Sequence, residues 1–175
     1  MEKLIKRNTV FKGKIIDVYQ DEVLLDSGRV GSREVVNHHG GATIAIEDFD
    51  GTYFMVKQYR YAVGEELLEF PAGKLEFNES PLDAIVRESH EEVGVIVKDV
   101  KEYGYMIPTC GYCNEKIYMY SAKVERYTKQ SLDQDEQLVV CKLSLNEIMD
   151  AISNGVIKDA KTIILAYHLY SDVMK

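Results

Sequence analysis

The chain has 175 residues, 46% of them apolar, with a formal net charge of -8 and three cysteines. That length makes one domain spanning residues 1–175, with an ample core, the simplest expectation, and the acidic balance argues against nucleic acid as a partner. No apolar run is long enough to span a membrane, MEKLIKRNTV carries no apolar signal-peptide core, and an odd number of cysteines fits a reducing cytoplasm.

A small anionic ligand stays open, because a metal and a few arginines can set the local field. In chain order, residues 11–25 read as one or two strands, closed by an Asp26-Ser27-Gly28 turn, and residues 33–37 resume the extended pattern. His38-His39-Gly40-Gly41 breaks it. Residues 42–46 form a short apolar strand, Asp50-Gly51 is a hairpin signal, and residues 53–59 form the partner strand. Residues 67–70 read as another short strand.

Residues 73–95, GKLEFNESPLDAIVRESHEEVGV, carry the densest signal. Ser80 can cap a helix and Pro81 fits its first turn. Leu82, Ile85, Val86 and Val93 supply an apolar face at helical spacing, and Gly94 is a natural stop. Glu88 then stands one turn from Glu91 and Glu92, so their carboxylates can converge. Like charges so close repel unless a cation sits among them, and hard oxygen ligands suit Mg²⁺ or Mn²⁺. The plain alternative is a solvated acidic helix face.

Downstream, residues 100–107 read as a strand and residues 108–114 as a loop. Residues 116–124 form an alternating strand with Ile117, Met119 and Ser121 opposite Tyr118, Tyr120 and Ala122. Residues 128–137 are polar and expected to be mobile, and residues 138–143 form a strand. Ser144 with Glu147 makes a capping box for a second helix with Ile148, Met149 and Ile152 on its apolar side, ended by Gly155. Asp159 caps a last helix through residue 170. Strands mixed with three helices indicate a layered α/β domain.

Gly73, Glu79, Arg87-Glu88, Glu91-Glu92, Gly94 and Val95 match, position by position, the Nudix box; Ser89 is the one departure, where that family has an apolar residue. The flanks are similar to the ADP-ribose pyrophosphatase branch of the Nudix hydrolases. They are Arg33-Glu34-Val35-Val36 with His38, Gln58-Tyr59-Arg60, Glu69-Phe70-Pro71-Ala72-Gly73-Lys74, and Gly155-Val156-Ile157 with Asp159-Ala160.

The resemblance implies an α/β/α sandwich with a mixed sheet, the box loop and helix carrying a metal site. It makes Glu88, Glu92 and the Ala72 carbonyl metal ligands, with Glu91 reaching a metal directly or through water, and Arg87 orienting the glutamates. It makes Arg60 a contact of the substrate diphosphate, with Gly73 and Lys74 also on the substrate. Arg33 and Glu34 would reach the adenine end from a partner subunit, residues 1–40 supplying strands for a homodimer; the alternative for that pair is a cross-strand charge pair. Glu136, with Asp135 as its neighbour, or else a box glutamate, would take the proton from water.

The activity implied is Mg²⁺-dependent hydrolysis of ADP-ribose to AMP and ribose 5-phosphate. Other nucleotide sugars or oxidised nucleotides are alternative substrates, and a non-catalytic nucleotide sensor is the reading from another class. Thr109-Cys110-Gly111 stands where the branch has Ser-Pro-Gly, which predicts a looser loop and broader specificity. Cys110 and Cys113 form a lone Cys-x-x-Cys, half a zinc site or a redox pair in other settings. One or two of the twelve tyrosines would stack on adenine, and sequence does not choose among them.

Overall fold

The first forty residues build a three-stranded antiparallel sheet. Its strands are β1 (Lys3–Lys12), β2 (Ile16–Leu24) and β3 (Val30–His38), in the order β1-β2-β3. In this computed structural model, which describes residues 1–132 and 137–175, that sheet and residues 107–116 form one compact unit; residues 41–106 and 117–175 form the other. The Asp26-Ser27-Gly28 turn forms as predicted. Gly28 sits at φ 78°, where a side chain would be strained, and donates to the Leu25 carbonyl at 2.9 Å. Residues 107–116 lie beside β3: Val36 donates to the Tyr112 carbonyl at 2.7 Å and Asn114 to the Val36 carbonyl at 3.2 Å.

The second unit holds a seven-stranded mixed sheet. Its strands are β4 (Gly41–Glu47), β5 (Tyr53–Arg60), β6 (Glu65–Glu69), β7 (Ala72–Lys74), β8 (Val95–Met106), β9 (Ile117–Tyr127) and β10 (Leu138–Leu143). The main order is β10-β5-β4-β9-β8, with β6 on β5 and β7 on β4. The Asp50-Gly51 turn forms, but β4 and β5 pair only at Glu47 and Tyr53; β4 instead runs parallel to β9 from Gly41 to Glu47. A hairpin signal specifies the turn and leaves open how far the strands stay together.

β4 is buried on both faces, so its alternation splits the core. Ala42, Ile44 and Ile46 pack with Tyr120 and Ala122 beneath Ala84 and Ile85 of α1 (Pro81–Glu88). Ala45 packs with Met55, Phe70 and Met119 beneath α2 (Leu145–Ser153) and α3 (Ala160–Val173). Helices on both faces make the α/β/α sandwich. The opposed sets predicted for residues 117–122 fall on these two faces, Tyr118, Tyr120 and Ala122 on one and Met119 on the other.

Two expectations change. Of the apolar face expected for the box helix, Ile85 is buried and Val93 packs against the core, but Leu82 and Val86 are 47% and 42% exposed; the buried face is shifted to take in Ala84, Glu88, Ser89 and Glu92. β8 starts at Val95 rather than near residue 100, because Gly94 at φ 74° reverses the chain at once, and Lys98-Asp99 is a bulge inside the strand, Asp99 standing at φ 52°.

Candidate active site

The box assembles from local rules. Ser80 Oγ accepts from the Asp83 N–H at 3.1 Å, Pro81 opens α1, and Gly94 closes the segment in the left-handed region. Between them, Ser89–Val93 widens into a π turn, a bulge that re-aims the residues after it. Ser89 is fully buried and its hydroxyl donates to the Ile85 carbonyl at 2.5 Å, so the polar departure from the motif is satisfied within its own helix. Residues 128–131, part of the run expected to be mobile, dock on this end. Thr128 donates to the Gly94 carbonyl at 2.7 Å, Ser131 to the Glu91 carbonyl at 3.0 Å, and the Gln130 amide to the Glu92 carbonyl at 2.5 Å.

Arg87 is the hub. Its Nε and Nη2 hold the two Glu79 oxygens at 2.9 and 3.0 Å, and Nη1 reaches Glu88 Oε1 at 2.8 Å and Glu91 Oε2 at 2.9 Å. Nη2 also donates to the Lys74 carbonyl at 3.3 Å. The planar fork suits this sharing, which a lysine could not reproduce. The Arg87 hydrogen bonds hold the Glu79 carboxyl below its ordinary range, against a smaller upward push from burial.

Glu88 and Glu92 are 7% and 1% exposed. Glu92 Oε2 accepts from the Ala72 N–H at 3.1 Å. A Cβ built on Gly73 would lie 1.6 Å from Glu88 Oε1, so the glycine is the cradle that lets the carboxylate lie against β7. Among the described residues no three acidic, histidine or cysteine side chains are already drawn together as a cage. Two buried carboxylates beside an open stretch of backbone are nonetheless a hard-oxygen donor set, and they fit a divalent cation. Lys74 is exposed and its ammonium makes no ion pair among the described residues.

A second charged group lies on the same strand segment. Arg60 Nε and Nη2 hold both oxygens of Glu69 at 2.7 Å each, and Lys161 donates to Glu69 Oε2 from the first turn of α3. Burial alone would raise the Glu69 carboxyl, but Arg60 and Lys161 outweigh it and hold it below the ordinary value. Glu69 and Lys161 were not among the predicted site residues. The available signal was helical spacing: Lys161, Thr162, Leu165, Ala166 and Leu169 share one buried face.

In the N-terminal unit Arg33 and Glu34 part company. Arg33 Nε pairs with Glu2 Oε2 at 3.0 Å, whereas Glu34 borders a cavity of about 320 Å³ with Val10, Val18, Tyr19, Val36 and Tyr112. Arg7 lies 4.2 Å over the Tyr19 ring and is itself locked to the buried Asp21 at 2.7 and 2.9 Å. Glu136 and Asp135, predicted as candidate bases, lie outside the described residues. Cys110, Cys113 and Cys141 are free thiols. Among the described residues no helix is long and apolar enough to cross a membrane.

A family model described as NUDIX domain matches residues 37–164, and one described as nucleoside diphosphate sugar hydrolase N-terminal domain matches residues 2–36. The chain is similar to the ADP-ribose pyrophosphatase of Bacillus subtilis (strain 168), 32% identical over 163 residues that cover 92% of this chain and 88% of that protein. It is similar to the methanol dehydrogenase activator of Bacillus methanolicus, 32% identical over 170 residues that cover 96% and 92%. A crystal structure described as an ADP compounds hydrolase superposes with a TM-score of 0.86 at 18% identity, over 99% of this chain and 94% of that one, which is a likeness of fold.

Proposed function

The chain belongs to the Nudix family, whose members generally use a divalent metal, and we propose that it hydrolyses the diphosphate of ADP-ribose to AMP and ribose 5-phosphate with Mg²⁺. The observation that carries this reading is the Arg87-centred carboxylate cluster laid against Gly73. Glu88, Glu92 and the Ala72 carbonyl would hold the cation, with Glu91 beside them; Mn²⁺ suits the same oxygens. When bound, the cation neutralises the diphosphate and lowers the pKa of a coordinated water. Arg87 keeps the glutamates in register, Arg60 receives the diphosphate alongside Gly73 and Lys74, and Glu136 or a box glutamate takes the proton from water. Water attacks one phosphorus in line with the departing phosphate oxygen. The purified protein with ADP-ribose and Mg²⁺ is expected to release AMP, and a chelator to stop it. No AMP under any of several divalent metals would overturn the assignment.

The match of residues 2–36 to the N-terminal domain of nucleoside diphosphate sugar hydrolases favours a second substrate set, other nucleotide sugars. A panel of ADP- and GDP-sugars compared by kcat/KM against ADP-ribose separates the two. We also propose a homodimer in the cytoplasm. All ten residues of β1 are exposed, among them Leu4, Ile5, Val10 and Phe11, an apolar display that a second copy would cover. In that arrangement Glu34, with Tyr19 or Tyr112 as the stacking ring, meets the adenine of the partner's substrate, and Arg33 flanks it. Light scattering giving a mass near 20.0 kDa would reject the dimer.

A further inference from the structure

We propose that Lys161 is a positioning residue for substrate binding: through the buried Glu69 carboxylate it sets the guanidinium of Arg60, the group that receives the substrate diphosphate. The inference rests on the function proposed above.

Glu69 is 1% exposed, and a carboxylate withdrawn from water needs several donors. Arg60 supplies two from one edge of its fork, and Lys161 supplies a third to Oε2, the oxygen that Arg60 Nη2 also uses. Lys161 is itself bracketed, with its ammonium 3.0 Å from Asp159 Oδ1. Two cations thus converge on one buried carboxylate, and Glu92 and Asp159 also act on Arg60 through their charge. Lys161 pins Oε2, and with it the orientation of the carboxylate that grips the Arg60 fork. The hydrogen bonds of Arg60 to Glu69 use Nε and Nη2 and leave the Nη1 edge out of that grip, and the side chain is 36% exposed.

The same helical turn also fixes the chain next to Glu69. The Phe70 N–H donates to Thr162 Oγ1 at 2.9 Å, and Thr162 Oγ1 donates to Asp159 Oδ2 at 2.6 Å. Two residues on, the Ala72 N–H is held by Glu92. The first turn of α3 and the box carboxylates thus hold opposite ends of one four-residue segment.

The test compares the parent with Lys161→Met, Lys161→Arg and the double variant Glu69→Gln/Lys161→Met, measuring thermal midpoint, kcat and KM for ADP-ribose with Mg²⁺. The double variant removes one charge of each sign, so it stays folded if the single one does not. The expected result is a KM raised about tenfold in Lys161→Met and in the double variant, with kcat within about twofold, and partial restoration of KM in Lys161→Arg. Unchanged KM in a folded Met variant, or a fall in kcat at unchanged KM, would overturn the proposal while leaving the function intact. A parent that releases no AMP would overturn both.

Discussion

Two arginines in this protein grip a glutamate through the same two-pronged hydrogen bond, and their surroundings differ in charge. Around Arg87 stand Glu79, Glu88 and Glu91, so three carboxylates face one guanidinium, and the buried Glu92 follows Glu91 in the π turn. Around Arg60 two cations, Arg60 and Lys161, share the buried Glu69, with Asp159 beside Lys161 and the charge of Glu92 also felt at Arg60. Here each oxygen of the buried carboxylate has a cation on it, and the group holds its parts in place. The Arg87 group holds an excess of carboxylates, with Glu88 and Glu92 nearly withdrawn from water, a state that a bound cation relieves. The fold tolerates that cost where Gly73 leaves room for it.

The largest way to break this contrast is at Glu92. Glu92→Gln keeps an oxygen for the Ala72 N–H but removes the charge; kcat should fall at least about 10²-fold, since several kcal/mol of transition-state stabilisation are at stake. The thermal midpoint without metal should stay level or rise, because repulsion is relieved. A midpoint lowered by many degrees would show that the cluster is not strained at all.

Gly73→Ala comes next. Its methyl would collide with Glu88 Oε1 and displace the carboxylate, and a misplacement of about 1 Å costs roughly 10²-fold in rate. Activity near that of the parent would mean that Glu88 moves aside freely. Calorimetric titration with Mn²⁺ should show weakened binding in the same variant.

Glu79→Gln sharpens the comparison through pH. The Arg87 hydrogen bonds depress the Glu79 carboxyl below 4.5 in the folded state. A depressed acid adds stability that is complete above 4.5 and is lost as pH falls through the folded value. The variant should therefore be less stable than the parent near pH 7, by about 2 kcal/mol for charge-assisted bonds, and the gap should narrow below pH 4.5. Denaturant titrations at pH 7 and pH 3.5 read this directly; a gap that is constant with pH would show that the Arg87–Glu79 pair is not its source.

The smallest effect belongs to Ser89. Its hydroxyl donates to the helix carbonyl four residues back. Ser89→Ala should change stability by about 1 kcal/mol or less and leave kcat alone. A loss of activity in urea-resistant protein would instead make this hydroxyl part of what shapes the π turn.

Much of the box was legible because its rules are short-range. Ser80, Pro81 and Gly94 bound the segment through contacts with neighbours three or four residues away, and Ser144 with Glu147 closes the predicted capping box at 3.3 and 2.8 Å. The buried face of α1 was only half legible, because apolarity was the only criterion: Ile85 goes inward as expected, whereas Leu82 and Val86 do not. Leu82 and Val86 outrank Glu88 and Glu92 on that scale, yet the carboxylates go inward, where Arg87 and the backbone of β7 receive them. Arg33 and Glu34 are adjacent in a strand that sends neighbours to opposite faces, so Arg33 pairs with Glu2 while Glu34 borders the cavity, a separation that adjacency in sequence does not show.

Residue spacing alone determined the helix ends, the strand alternation of residues 117–122 and the clustering of Glu88, Glu91 and Glu92 within two turns. The tertiary structure decided that β4 lies parallel to β9 despite the Asp50-Gly51 turn, and that residues 107–116 join the N-terminal sheet. It also decided that Lys161 meets Glu69 across 92 positions of chain. Capping and turn energies depend on residues a few positions apart, so the string contains them. The charge balance of a buried carboxylate depends on which distant cation the packed core brings to it, and that is settled only when the sheet and its two helical layers close together.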